Sequence, residues 1–318
     1  MTVLTLFGGF LLLLLGGEAT LRGAVGLGRA LGLSKLLIGM VIIGIGTSLP
    51  ELTIAVEAVL SGFGNLAVGN ILGSSIANAL LILGVAALIS PVERPARLLL
   101  PNAIVVVLVV VGITLTGLQG KIPRWQGIAL VVLYAAFLVA EYLRAREETR
   151  LRKLVTPQVP LPKEMPERPL IAVLLVLAGL VSLFFGADLL VDSAVDISRA
   201  LGVSEGLIGL TVVSFGSILP ELTSSVIAAR KDDSEVAFGN VLGSILFNAL
   251  GIFGVTAIVG PLVFPPVMVV FDGPVLIAAC AMMFFFVLSG RGITRREGAV
   301  MSAVYLAYVA ARFAYGLS

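Results

Sequence analysis

Apolar residues in this chain come in long unbroken runs, neither alternating nor confined to one helical stripe, and short polar patches separate them. Runs near the roughly 20 residues needed to cross a hydrocarbon core predict transmembrane helices. Their continuity excludes barrel strands, whose lipid-facing and lumen-facing positions alternate. The breaks predict ten helices, at about 3–27, 35–60, 66–90, 98–117, 124–143, 169–194, 205–229, 236–260, 266–289 and 297–316. The expected fold class is therefore all-α, a polytopic membrane protein. The first run, Thr2 to Leu15, lacks a basic start and leads straight into further runs, so it reads as a retained helix and not a cleaved signal. The longest polar stretch, Arg144 to Arg168, is too short to fold alone and reads as a linker between 1–143 and 169–318.

The pattern also repeats. LGLSKLLIGMVIIGIGTSLPELT at 31–53 aligns without a gap on LGVSEGLIGLTVVSFGSILPELT at 201–223, with 12 of 23 positions identical at an offset of 170. At the same offset GNILGSSIANAL (69–80) faces GNVLGSILFNAL (239–250), with eight of 12 identical. Shared apolar character alone does not keep Gly, Pro, Glu and Asn in step. Each half then holds five helices, an odd number, so the second half enters the membrane inverted relative to the first. Transporters built this way carry their ion site at the repeat interface near the midplane.

Composition sharpens this reading. Of 318 residues, 58% are hydrophobic and 13% charged, far from the near-even apolar share and roughly 25% charge of a soluble domain. There is no histidine and one cysteine, Cys280, which removes the soft-ligand clusters of a zinc or copper carrier and any internal disulfide. No phosphate-binding loop motif occurs, so no internal ATPase is expected. Alternating the ten helices assigns 17 of the 21 Lys and Arg to the side holding 144–168 and four to the other. Positive charge collects in the cytoplasm. The expected location is thus the cell (inner) membrane, multi-pass, with both termini outside and the 144–168 loop cytoplasmic, where its basic residues can meet anionic lipid.

The second helix of each half holds a Pro–Glu pair deep in apolar sequence, Pro50–Glu51 and Pro220–Glu221, and no charge lies between Lys35 and Glu51. A carboxylate at that depth costs about 2.5 kcal/mol or more and needs a partner or a function. Each proline also removes the hydrogen bond to the carbonyl four residues back, at Gly46 or Gly216. One broken turn then gathers Thr47, Ser48 and Glu51, and its counterpart Ser217 and Glu221. The third helix of each half adds Ser74 and Asn78, or Ser244 and Asn248, each pair four apart and on one face. Inversion brings Glu51 toward Glu221. Two carboxylates with hydroxyl, amide and carbonyl oxygens suit a hard cation, calcium in particular.

Blander readings stand beside these. One Pro–Glu pair alone can be a structural kink; two in symmetric positions are harder to explain so. Ser74 and Ser244 can bond back to their own helices, and Asn78 and Asn248 can serve as interhelical glue. Gly69–Asn70 and Gly239–Asn240 read as helix-start and packing signals outside the site, and Glu18, Asp188 and Glu57 as structural. A passive cation channel and a non-transporting scaffold remain as rivals, the second leaving Glu51 and Glu221 unexplained.

At GTSLPEL (46–52), GSILPEL (216–222), GNILGSSIAN (69–78) and GNVLGSILFN (239–248) the chain resembles the calcium/cation antiporter superfamily, in particular its prokaryotic sodium/calcium exchangers. The resemblance implies a secondary antiporter, not an enzyme, with no cofactor, no nucleic acid and no obligate protein partner; its partners are the transported calcium and sodium ions and membrane lipids. It implies a calcium position at Glu51, Glu221, Thr47 and Ser217. One sodium position would use Ser48, Ser74 and the Gly44 carbonyl, the other Ser244 and the Ser214 carbonyl, with Asn78 and Asn248 completing the centre. The first and sixth helices would slide over the core. Two departures stand out. Ile218 occupies the position of the signature's second serine, the mate of Ser48. Asn248 occupies a position that is acidic in potassium-dependent relatives, which argues against potassium cotransport. The proton-coupled branch tends to carry an acid just after the Gly–Asn pair, and none occurs here. A calcium (or other divalent cation)/proton antiporter is the alternative reading.

Overall fold

The computed structural model describes residues 2–92, 96–155, 169–200, 214–289 and 292–314. They form helices almost throughout. In chain order these are α1 (Thr2–Ala30), α2 (Lys35–Thr47), α3 (Leu49–Leu60), α4 (Gly64–Ile89), α5 (Ala96–Gly117), α6 (Arg124–Val155), α7 (Pro169–Ala200), α8 (Ser214–Gly216), α9 (Leu219–Arg230), α10 (Ser234–Val259), α11 (Met268–Leu288) and α12 (Arg295–Ala314). Even the β-branched run of α5 is helical, because in hydrocarbon only the helix satisfies its own backbone. Two-residue strands β1 (Lys121–Ile122) and β2 (Leu262–Val263) pair antiparallel and tie the loop after α5 to the loop after α10. A single bridge, Val92 to Ile293, ties the loop after α4 to the segment before α12.

Among the described residues seven helices are long and apolar enough to cross a membrane, and α2 with α3, bent by 41°, make an eighth if counted as one span. Ten spans are not reached by this measure. The predicted seventh falls partly on 201–213, outside the described residues. The predicted tenth is a helix, α12, but it opens on Arg295, Arg296 and Glu297, carries Arg312 in its last turn, and is not among the seven. A second difference concerns 144–168: α6 does not stop at 143 but runs to Val155. Its polar extension, rich in Glu, Arg and Lys, is made of good helix formers, and loss of apolar character ends a membrane span without ending a helix.

α4 and α10 lie at the centre, with Val68, Ile71, Val241 and Ile245 fully enclosed. α10 crosses α2 at backbone distance: a Cβ on Gly44 would sit 2.9 Å from the Asn240 carbonyl, and Gly39, Gly239 and Gly243 leave no more room. Outside this core, α1 and α7 pack antiparallel along glycines spaced by seven. A Cβ on Gly9 would lie 2.8 Å from the Gly186 carbonyl, on Gly16 2.9 Å from the Gly179 carbonyl, and on Gly23 2.7 Å from the Ala172 carbonyl. Small residues let membrane helices meet this closely. Their other faces present Phe7, Phe10, Leu11, Leu174, Val181 and Phe185 outward, a surface suited to lipid.

Candidate ion-binding site

The α2–α3 and α8–α9 breaks have one backbone form. Ser48 sits at φ −89°, ψ 8° and Ile218 at φ −91°, ψ 0°, and each new helix carries proline in its first turn, where its missing N–H is harmless. Downstream, each half relaxes into a π turn, Asn78–Ile82 in α4 and Phe247–Ile252 in α10. Such turns loosen the hydrogen-bond ladder and gather at functional positions.

The breaks bring carboxylates and hydroxyls together. Glu51 and Glu221 are both fully buried. Ser48 Oγ donates to Glu221 Oε1 at 2.9 Å, from one broken helix to the other. Ser244 Oγ donates to the Gly44 carbonyl at 3.3 Å. Asn248 Nδ2 reaches Ser74 Oγ at 3.0 Å and Ser75 Oγ at 3.2 Å. Each link joins residues from opposite halves of the chain.

What these bonds leave over is informative. Glu51 Oε1 and Oε2, Glu221 Oε2, Asn78 Oδ1 and Asn248 Oδ1 are enclosed, with no hydrogen-bond donor among the described residues. An enclosed acceptor without a partner costs about 1–3 kcal/mol, and more when charged. No three His, Cys, Asp or Glu side chains cluster among the described residues, so the acidic component is a pair and the other donors are neutral oxygens. That donor set suits hard ions and not zinc or copper.

The repeat mates behave differently. Ser74 Oγ donates back to the Ile71 carbonyl at 3.3 Å, whereas Ser244 reaches across the interface. Asn78 Nδ2 bonds the Ser74 carbonyl of its own helix at 3.0 Å, whereas Asn248 bridges the halves. Thr47 is buried, its hydroxyl 3.1 Å from the Ile43 carbonyl. Ser217 lies half-buried in the α8–α9 bend, and Ser214 opens α8 beside the undescribed 201–213. Ile218 is buried among core hydrophobics. Glu18 pairs with Arg22 and Lys231 as a structural group, while Asp188 and Glu57 are exposed. Sequence reasoning missed Asn240, which is 1% exposed and contacts both broken helices. The signal was its place four residues before Ser244, on the same face of α10.

A helix-dominated, multi-pass fold with matching breaks at Ser48 and Ile218 fits a membrane ion transporter, not an enzyme, and the family match bears this out. The profile of the family "Sodium/calcium exchanger protein" matches residues 1–143 and 171–314, and the chain belongs to that family. It is 32% identical to the "Putative antiporter CaxA" of Alkalimonas amylolytica over 94% of this chain and 95% of that one. It is 27% identical to the "Sodium/calcium exchanger MaX1" of Methanosarcina acetivorans over 96% of each. Its fold is similar to that of the sodium-calcium exchanger NCX_Mj, soaked with sodium and strontium, at a TM-score of 0.82 and 27% identity, covering 98% of this chain and 99% of that one.

Proposed function

We propose that the chain exchanges calcium for sodium by alternating access at the site between its broken helices. The observation that carries this is the set of enclosed oxygens on Glu51, Glu221, Asn78 and Asn248 that no protein donor satisfies. Calcium is held by Glu51, Glu221, Thr47 and Ser217. One sodium takes Ser48, Ser74 and the Gly44 carbonyl, and a second takes Ser244 and the Ser214 carbonyl, with Asn78 and Asn248 at the centre. Both sodium positions flank the calcium position beside the same two carboxylates, so the two kinds of ion compete for one site, which is the condition for exchange. The relatives named as sodium/calcium exchangers favour the same ion pair.

The two halves, 1–143 and 169–318, act as inverted repeats, with α1 and α7, held in register by their glycine contacts, sliding together over the core to expose the site to either side. Alternation of the loops is supported by their pairings. β1–β2 joins two loops assigned outside, and the Val92–Ile293 bridge and the Lys35–Asp233 ion pair each join segments assigned to the cytoplasm. The location is the cell membrane with both termini outside.

Uptake of labelled calcium into proteoliposomes, with sodium, potassium or a pH gradient as the sole driving force, tests the reading. Sodium-loaded vesicles accumulate calcium against its gradient. Accumulation driven by pH alone transfers the assignment to a calcium/proton antiporter, for which the lost hydroxyl at Ile218 is the specific motive. Movement only down the calcium gradient identifies a channel.

A further inference from the structure

The polar face of α10 has three rungs, Asn240, Ser244 and Asn248, spaced by four. The last two belong to the site proposed above; the first has no assigned role. Its amide is fully engaged. Nδ2 donates to Ser225 Oγ at 2.9 Å and to the backbone carbonyl of Glu221 at 3.3 Å. Oδ1 lies 3.5 Å from Thr47 Oγ1, whose single hydrogen it shares as acceptor with the Ile43 carbonyl. One side chain thus spans the last turn of α2 and the first turn of α9, touching the two residues that bring an oxygen from each half.

The first half lacks this arrangement. At the offset of 170, Asn240 corresponds to Asn70 and Ser225 to Ala55. Ala55 has no hydroxyl to accept, and Asn70 Nδ2 is enclosed with no partner among the described residues. The same imbalance recurs at the breaks, where Ser48 donates to Glu221 while its mate Ile218 has nothing to offer Glu51, both of whose oxygens stay unpartnered. Two hydrogen bonds, Ser48 to Glu221 and Asn240 to Ser225, thus support the Glu221 side, and neither has a counterpart at the offset positions, 218 with 51 and 70 with 55.

We infer that Asn240 is a positioning residue for ion exchange, acting on the ions only through Glu221 and Thr47, and that with Ser225 it presets the Glu221 wall of the site while the bound ion shapes the Glu51 wall. The inference rests on the proposed calcium exchange at this site and adds what holds its geometry before the ion arrives. A preset wall lowers the ordering needed on binding, so its loss appears in apparent affinity before maximal rate.

The test is calcium-dependent exchange in proteoliposomes, with half-saturating calcium and maximal rate read separately. Asn240→Ala removes the two donated bonds and the Thr47 contact, and raises half-saturating calcium about tenfold, about one hydrogen bond's equivalent, with maximal rate changed less. Ser225→Ala, which copies the first half, raises it about threefold, and Ser225→Thr, which keeps the hydroxyl, restores the wild-type value. Half-saturation unchanged in both alanine variants, whatever their melting temperatures, overturns the inference and leaves the exchange reading intact. If Asn240→Ala does not fold, the Ser225→Ala and Ser225→Thr pair decides. A wild type driven by a pH gradient instead of sodium overturns only the coupling ion, and the same variants are then read in that mode. A wild type with no calcium flux overturns both.

Discussion

Ser48 and Ile218 occupy one backbone conformation and differ in a single respect, a hydroxyl against a branched alkyl group. Sodium surrenders water only to replacement oxygens, and an apolar group supplies none. The proposed second sodium position is therefore the weaker one. Ile218→Ser is expected to raise apparent sodium affinity or steepen the sodium dependence of calcium flux. Ser48→Ile also strips Glu221 of its donor and damages exchange more severely. An unchanged sodium dependence in Ile218→Ser moves the coupling toward protons. If both carboxylates hold calcium as proposed, Glu51→Gln or Glu221→Gln removes one of two buried charges, worth about 3 kcal/mol or a hundredfold in calcium affinity. The purified variants should remain monodisperse, and near wild-type flux in either would remove the acids from the site. Because calcium needs both carboxylates ionised, each proton bound competes with it. Exchange should thus fall as pH drops from neutral toward about 5, near the reference Glu value of about 4.3; a flat profile would separate the two acids.

At the scale of elements, the α1–α7 pairing depends on what glycine omits. The first carbon added at Gly16 would lie 2.8 Å from the Leu183 amide nitrogen, while at Gly8 it meets nothing within 4 Å. Gly16→Ala should force the helices apart, cost about 1–3 kcal/mol in overpacking and slow exchange, as read by thermal melting and flux together. Gly8→Ala should leave both unaltered. Equal behaviour of the two variants would show that these helices need not stay in register during transport. The extension of α6 to Val155 teaches a related point. Apolar length marks where a helix leaves the bilayer, but the backbone continues as long as its residues favour helix and nothing caps it.

For the whole molecule, the pairings between loops give sidedness a structural counterpart: segments expected on one side of the membrane touch each other. With Cys280 fully buried, single cysteines can report topology. Glu147→Cys should react with an impermeant thiol reagent only from the cytoplasmic face, and Gln119→Cys, in the opposite loop, only from outside; both positions are exposed. Reaction of both from one side would refute the inverted arrangement of 1–143 and 169–318.

The sequence by itself determined the helical class, the duplication and the acids at the centre. Burying charge in hydrocarbon is so costly that Glu51 and Glu221 announce themselves within apolar runs, and a 170-residue offset preserves Gly, Pro and Asn visibly. Only the tertiary structure decided how mates with the same side chain divide their work. Ser74 turns inward to its own helix while Ser244 crosses to Gly44, and Asn240, read as a packing residue, sits against both broken helices. Local spacing places a side chain on a face, but which backbone lies opposite that face depends on packing between segments nearly 200 residues apart, and that geometry selects the hydrogen bond.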